Sequence, residues 1–183
     1  LDQSLSFVRW RYAVYAVFAL VLVLLSVRTV NRNYDWKDSF SIWSKTVKTA
    51  PNCVRALNNL GIEYYKVKNN AQAEQYYRRA LAIQPTYEKS CYNLGNIYRL
   101  KEDYNRAIEM YEKAAQLNPK NFRNHNNLGN AFAMTKKYDA AIQAYRMALQ
   151  VKPGYAEANN NLGNVFRSLG KIDQAIIHYN RAI

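Results

Sequence analysis

The chain has 183 residues, enough for one or two domains, and carries a formal net charge of +13. A positive charge of this size indicates an acidic protein partner or an anionic membrane surface. Nucleic acid is not expected as a partner, because the sequence has no run of five basic residues, no RNA-binding aromatic signature and no recognition helix. The cysteines and histidines have no metal-ligand spacing, and no catalytic arrangement or phosphate loop is visible, so no metal, cofactor or catalytic residue is predicted.

The first predicted element is an apolar helix close to the amino terminus. Residues 12–27 (YAVYAVFALVLVLLSV) contain no charge, glycine or proline. With its aromatic and basic flanks the segment covers residues 10–30, which as a helix measures ~31 Å and matches the ~30 Å hydrocarbon core of a bilayer. We predict a transmembrane helix over residues 10–30, with residues 1–9 as the flank of a longer chain. A cleaved signal peptide and a buried helix of a soluble protein are the alternatives.

The next segment, residues 31–53, predicts a single capping helix. Phe40, Trp43 and Val47 share one helical face, and Asp35 is a candidate N-cap. Three residues of this segment, Trp43, Thr46 and Pro51, lie one repeat interval before their counterparts in the second half of the first repeat, Tyr77, Ala80 and Pro85.

Four regularly spaced units come next, and the tripeptide Asn-Leu-Gly marks each of them. The tripeptides begin at Asn59, Asn93, Asn127 and Asn161, so the interval between them is constant. Three further series recur at the same interval: Ala73, Ala107, Ala141 and Ala175; Tyr77, Tyr111, Tyr145 and Tyr179; and Pro85, Pro119 and Pro153. Leucine, glycine and an aromatic residue form one face of a first helix, and the alanines and tyrosines form the matching face of a second. Each unit is therefore predicted to be a helix hairpin with a polar turn between its helices, over residues 54–87, 88–121, 122–155 and 156–183. In the three complete units a proline ends the second helix.

These series resemble the tetratricopeptide repeat (TPR) family over residues 54–183. The resemblance implies an all-α fold, in which the transmembrane helix is followed by a superhelical solenoid of helix-turn-helix repeats. It also implies that the first helices line a concave groove that binds partners. The fourth unit is incomplete and no polar capping helix follows it, so the array is expected to continue beyond residue 183.

A second resemblance covers the junction between the apolar segment and the repeats. It rests on Arg28-Thr29, Asn31-Arg32-Asn33, Asp35-Trp36, Asp38, Trp43, Pro51 and Arg55-Ala56. This run is similar to the junction between the last membrane helix and the repeats in polytopic protein O-mannosyltransferase-like proteins, whose animal members are the transmembrane and TPR-containing O-mannosyltransferases. In that class the glycosyl-transfer site lies in earlier membrane helices and loops, so no catalytic residue is carried over to this chain.

The predicted groove is lined by the second, fifth, ninth and twelfth positions of each first helix, with the sixth beside them. The candidate peptide-binding residues are Asn58, Asn59, Lys89, Tyr92, Asn93, Asn96, Arg99, Arg123, Asn126, Asn127, Asn130, Asn160, Asn161, Asn164 and Arg167. The remaining residues at the same positions are Arg55, Ile62, Tyr65, Ala133 and Glu157. An asparagine carboxamide donates and accepts at once, so a row of them can pair with the backbone of an extended peptide, and the cations add a preference for acidic segments.

The sixth-position asparagines resemble the asparagine ladder in the repeats of the nucleocytoplasmic O-GlcNAc transferase. Because the fifth position is never lysine, a carboxylate clamp for a chaperone C-terminus is not expected. The alternative is a structural role, in which these asparagines bond to backbone between neighbouring hairpins.

The predicted function is a membrane-anchored interaction module that holds an extended or acidic protein segment in its concave groove, as the non-catalytic C-terminal part of a larger membrane protein. Two alternatives are the TPR region of a membrane protein O-glycosyltransferase that recruits acceptor proteins, and an architectural subunit of a membrane complex. Whether the parent protein is an enzyme, and its oligomeric state, stay open. Basic residues after the apolar segment favour cytoplasmic repeats, whereas the O-mannosyltransferase resemblance implies the lumenal or periplasmic side, which is the side we predict.

Overall fold

The computed structural model describes residue 17, residues 20–23, residue 25 and residues 39–183. Between residues 39 and 183 the chain consists only of helices and turns. The helices are α1 Ser39–Thr49, α2 Val54–Lys66, α3 Asn70–Ile83, α4 Glu88–Leu100, α5 Tyr104–Leu117, α6 Phe122–Met134, α7 Tyr138–Val151, α8 Ala156–Ser168 and α9 Ile172–Arg181. The first helix stands alone, and the other eight form four hairpins in which each helix packs on the next.

The predicted transmembrane helix over residues 10–30 lies mostly outside the described residues, and so does the candidate N-cap Asp35. The few residues described there, Val17, Leu20–Val23 and Leu25, are helical and exposed. In the part of the chain that the structure describes, no helix has the length and apolar character needed to cross a membrane.

Each hairpin turns at a residue in the left-handed backbone conformation. These residues recur at the repeat interval and have φ values of 61° at Lys68, 58° at Glu102, 58° at Lys136 and 73° at Gly170. The backbone N–H that follows each of them bonds back to the first helix, as Asp103 N does to Tyr98 O at 2.9 Å. The polar stretches are thus turns, as predicted. Their left-handed position is occupied by lysine or glutamate in three repeats and by glycine in the fourth.

Close packing of a tyrosine on a glycine holds the two helices of each hairpin together. A Cβ placed on Gly61, Gly95, Gly129 or Gly163 would lie only 2.5–2.7 Å from the ring of the core tyrosine in the second helix of the same hairpin. The tyrosines Tyr77, Tyr111 and Tyr145 are at most 2% exposed. Only glycine gives the ring this space, which explains why the two residues recur together.

The same tyrosines also pack against the following repeat. Tyr77 belongs to one apolar cluster with Leu94 and Ile97 of the second repeat, and Tyr145 belongs to another with Leu162 of the fourth. The core therefore runs along the array from hairpin to hairpin, as expected for a solenoid in which each unit buries its apolar face against its neighbours.

The lone helix α1 covers the first hairpin. Val47 and the half-buried Trp43 pack in one cluster with Leu57, and the ring of Phe40 meets that of Tyr64 edge-on with a centroid distance of 5.1 Å. The apolar face predicted for this segment is therefore the face that contacts α2.

We predict that Gly95→Ala lowers the free energy of unfolding by about 1–3 kcal/mol, because the added methyl group must displace the buried Tyr111 ring. Urea denaturation followed by circular dichroism measures this loss. Gly154→Ala is the matched control, since a Cβ at Gly154 would meet no atom within 4 Å. Equal stability of the two variants would contradict the role given to the glycine.

Candidate functional site

The first helices of the hairpins face the inner side of the array. Helices α2 and α4 contact each other directly, as do α6 and α8, although a second helix lies between them in the sequence. The positions predicted to line a groove lie on these helices, so the solenoid brings the predicted residues of successive repeats side by side.

The sixth-position asparagines of the later repeats are hydrogen-bonded to side chains of the repeat before. Asn161 Nδ2 donates to Asn126 Oδ1 at 3.3 Å and to Asn130 Oδ1 at 2.9 Å. It thereby links the fourth repeat to both the fifth and the ninth position of the third.

The same link joins the earlier repeats. Asn127 Nδ2 donates to Tyr92 Oη at 3.1 Å and to Asn96 Oδ1 at 3.3 Å. Asn93 Nδ2 donates to Asn58 Oδ1 at 3.0 Å. Side-chain amides therefore tie each of these hairpins to its neighbour. The N–H groups of the sixth-position asparagines thus have the structural role considered as the alternative. Their acceptors, however, are side chains rather than backbone.

The core tyrosines of the second, third and fourth repeats extend these links into their own hairpins. Their hydroxyls donate to the ninth-position asparagines of their own repeat: Tyr111 to Asn96 at 2.7 Å, Tyr145 to Asn130 at 2.8 Å and Tyr179 to Asn164 at 2.9 Å. Burial raises the pKa of Tyr111 and of Tyr145, so both hydroxyls stay protonated and remain donors at neutral pH.

The hydrogen bonds between repeats use the N–H groups of the sixth-position asparagines and leave oxygen lone pairs that can accept from a ligand. A carboxamide has two N–H donors and one oxygen with two lone pairs. In Asn127 and in Asn161 the amide nitrogen already makes two hydrogen bonds inside the protein. Asn127 Oδ1 accepts one long hydrogen bond, from Asn126 Nδ2 at 3.5 Å, which leaves its second lone pair for a ligand. What these residues can offer to a ligand is consequently the oxygen, which suits the N–H groups of a peptide backbone.

The predicted residues differ widely in access to solvent. Asn58 and Asn126 are fully buried between repeats. The half-buried residues are Asn59, Tyr92, Asn93, Asn96, Arg99, Asn127, Asn130, Asn161 and Asn164, and the exposed ones are Lys89, Arg123, Asn160 and Arg167. The buried pair acts through the inter-repeat bonds and is not part of a surface that a ligand touches.

Cations at the second and twelfth positions give this face its charge. Arg55, Lys89, Arg99, Arg123 and Arg167 occupy these positions. Among the described residues, none of them forms an ion pair. The acidic side chain at these positions, Glu157, already accepts hydrogen bonds from Asn126 Nδ2 and Tyr155 Oη. These donors are neutral, so Glu157 keeps its negative charge. Five cations and one carboxylate therefore give these positions a net positive charge.

A cavity of about 430 Å³ opens on the inner side of the second, third and fourth repeats. Four predicted residues line it: Arg99, Asn130, Asn161 and Asn164. The lining also includes residues that the sequence analysis did not assign to the groove, among them Tyr104, Met134, Tyr138, Val165 and Ser168. Two of these residues, Tyr104 and Tyr138, lie one repeat interval apart. That recurrence is the sequence signal that could have assigned them to the groove.

We predict that Asn161→Ala lowers the free energy of unfolding by about 1–3 kcal/mol, because the fully buried Asn126 oxygen loses its hydrogen-bond donor. The adjacent Asn160→Ala is the control, since Asn160 is exposed and its loss should change stability by less than about 0.5 kcal/mol. Amide exchange should locate the loosening in residues 122–183. Similar stabilities for the two variants would show that the inter-repeat bonds contribute little.

Curated proteins similar to this chain match it over part of the repeat region. The Protein O-mannosyl-transferase TMTC3 of Homo sapiens is 28% identical over 67 residues, which is 37% of this chain and 7% of that protein. The Protein O-mannosyl-transferase Tmtc2 of Drosophila melanogaster is 31% identical over 77 residues, which is 42% of this chain and 8% of that protein. The match thus spans less than a tenth of the length of either relative.

Solved structures of MamA have the same fold. One MamA crystal structure covers 83% of this chain and 89% of its own, with a TM-score of 0.74 and 24% sequence identity. A second, designated AMB-1, is 27% identical, with a TM-score of 0.65 over 70% of this chain and 76% of its own.

Family models of the tetratricopeptide repeat match successive parts of the chain. They cover residues 54–87 and 123–155, residues 95–136, and residues 156–183. These ranges include all four glycine–tyrosine pairs, with the second hairpin matched from residue 95 onward. The chain belongs to the tetratricopeptide repeat family.

Proposed function

We propose that this chain is a protein-interaction module whose inner groove holds an extended, acidic protein segment. The observation that carries the proposal is a row of cations, Arg99 and Arg123 among them, that have no ion-pair partner among the described residues and lie beside asparagines whose oxygens remain available. TPR folds are suited to binding proteins or peptides along their inner face. In this chain that face has cations for carboxylates and asparagine oxygens for backbone N–H groups, which suits an acidic, extended peptide.

The two sets of groups are complementary to different parts of such a segment. The carboxamide oxygens of Asn127 and Asn161 accept from backbone N–H groups, whatever the side chains of the segment are. The guanidinium groups of Arg99, Arg123 and Arg167 donate to carboxylates, and Arg binds carboxylates with two parallel hydrogen bonds. Backbone recognition gives general affinity for extended chains, and the cations select acidic ones.

We expect the double variant Arg99→Glu/Arg123→Glu to bind a glutamate-rich peptide at least about tenfold more weakly, since each lost attraction is worth about 0.2–1 kcal/mol at an exposed site and becomes a repulsion. The salt dependence of binding should fall as well. Fluorescence anisotropy of a labelled peptide at two salt concentrations measures both effects.

The double variant Arg79→Glu/Arg146→Glu is the control for charge, since it changes the net charge by the same amount and both arginines are exposed on second helices, α3 and α7. It should keep most of the affinity. An equal loss in both variants would mean that the peptide responds to net charge rather than to the groove.

We further propose that residues 10–30 anchor the module in a membrane, with the repeats on the lumenal or periplasmic side. The support is the uncharged run of residues 12–27 and its basic and aromatic flanks. The proposed side rests on the resemblance of the junction, and protease protection in sealed vesicles tests it against the cytoplasmic alternative.

Deletion of residues 1–33 should release the protein from membranes while leaving its helical circular dichroism signal per residue intact. The full chain should stay in the membrane pellet after high-salt and alkaline washing. If the truncated protein also resisted the alkaline wash, the proposed anchor would be wrong.

A second candidate is that the chain is the repeat region of a membrane protein O-glycosyltransferase, with the groove recruiting acceptor proteins. The partial similarity to two proteins named Protein O-mannosyl-transferase favours it. Further hydrophobic spans encoded upstream of Leu1 would support this candidate, and a start codon a few residues before Leu1 would contradict it.

A further inference from the structure

One repeat lacks the large side chain that the others carry on the inner face. The twelfth position of the first helix holds Tyr65, Arg99 and Arg167 in the first, second and fourth repeats, but Ala133 in the third. Ala133 lies in the lining of the 430 Å³ cavity on the inner side of the second, third and fourth repeats. The cavity therefore opens at the position where a long side chain is replaced by a methyl group.

Polar and apolar groups contribute about equally to the walls of the cavity, and the apolar groups include an adaptable side chain. Met134 is 59% exposed and lines the cavity, together with the rings of Tyr104 and Tyr138. A methionine side chain is flexible and adjusts its shape to what it contacts. An exposed methionine in a concave site beside aromatic rings is suited to a large apolar side chain.

The same lining carries a positive charge. Arg99 lines the cavity, and it forms no ion pair with any residue that the structure describes. Glu157, also in the lining, accepts hydrogen bonds from the neutral groups of Asn126 and Tyr155 and keeps its negative charge. The lining thus holds one carboxylate and one cation, and only its Arg99 side complements a carboxylate next to the apolar side chain.

We propose that this cavity, defined by Arg99, Tyr104, Ala133, Met134 and Tyr138, is an anchor pocket for one large apolar side chain of the bound acidic segment. In an extended segment, residues i and i+2 point to the same side, about 6.6 Å apart. A glutamate or aspartate two residues from the apolar side chain therefore reaches the Arg99 side of the pocket. The pocket fixes which residue of the segment sits at the third repeat.

This inference rests on the proposed function, because the anchor side chain belongs to the segment held in the groove. The backbone and charge contacts bind any acidic extended segment with similar strength. The anchor pocket adds selectivity among acidic segments, which the periodic parts of the groove cannot supply.

Two synthetic peptides of equal charge test the pocket on the full chain. One is Ac-EGEGLGEGE-NH2, and the other replaces its central leucine with serine. We expect the leucine peptide to bind about tenfold more tightly, as measured by anisotropy of labelled peptides. Ala133→Leu and Ala133→Arg fill the pocket and should abolish this difference, whereas Ala133→Ser keeps it open and should preserve the difference.

The filling variants should fold, since the equivalent position already carries tyrosine or arginine in the other three repeats, and circular dichroism checks this. Equal affinity of the two peptides for the wild-type chain would overturn the anchor pocket and leave the acidic groove standing. Binding of neither peptide would overturn the proposed function and the pocket with it. A leucine preference that survives in both Ala133→Leu and Ala133→Arg would place the apolar contact elsewhere and overturn the assignment.

Discussion

The packing of a tyrosine ring on a glycine is the interaction on which the rest of this structure depends. In the second hairpin, Gly95 gives the ring of Tyr111 its place. The same ring sends its hydroxyl to Asn96, whose oxygen also accepts from Asn127 of the next repeat. Closure of one hairpin thereby fixes the acceptor that the following hairpin needs, so helix packing and inter-repeat bonding are coupled through a single residue.

This coupling decides what the groove can recognise. Because the amide N–H groups of Asn127 and Asn161 are used between repeats, the asparagine row holds the array together and offers mainly oxygens to a ligand. Donors come instead from the cations at the second and twelfth positions. A surface with neutral acceptors and cationic donors favours an extended backbone that carries carboxylates.

The constant interval between the Asn-Leu-Gly tripeptides was enough to predict the hairpins, their turns and the inner position of the asparagines, since each unit imposes the same local constraints. It could not show that Asn58 and Asn126 are buried, because their burial depends on how one hairpin docks on the next. The sequence pattern did not predict the cavity at Ala133, for a related reason. A periodic pattern draws attention to what recurs, whereas this cavity comes from a departure at one position and from walls contributed by two other repeats.

The most direct test of the central claim is to locate a bound acidic peptide on the isotope-labelled chain by nuclear magnetic resonance. Titration with a short glutamate-rich peptide should shift the side-chain amide signals of Asn127 and Asn161 and the guanidinium signals of Arg99 and Arg123. Signals from the outer helices α3, α5 and α7 should stay in place. Shifts confined to those outer helices, or saturable binding with no change at the four inner side chains, would contradict the claim that the groove is the binding site.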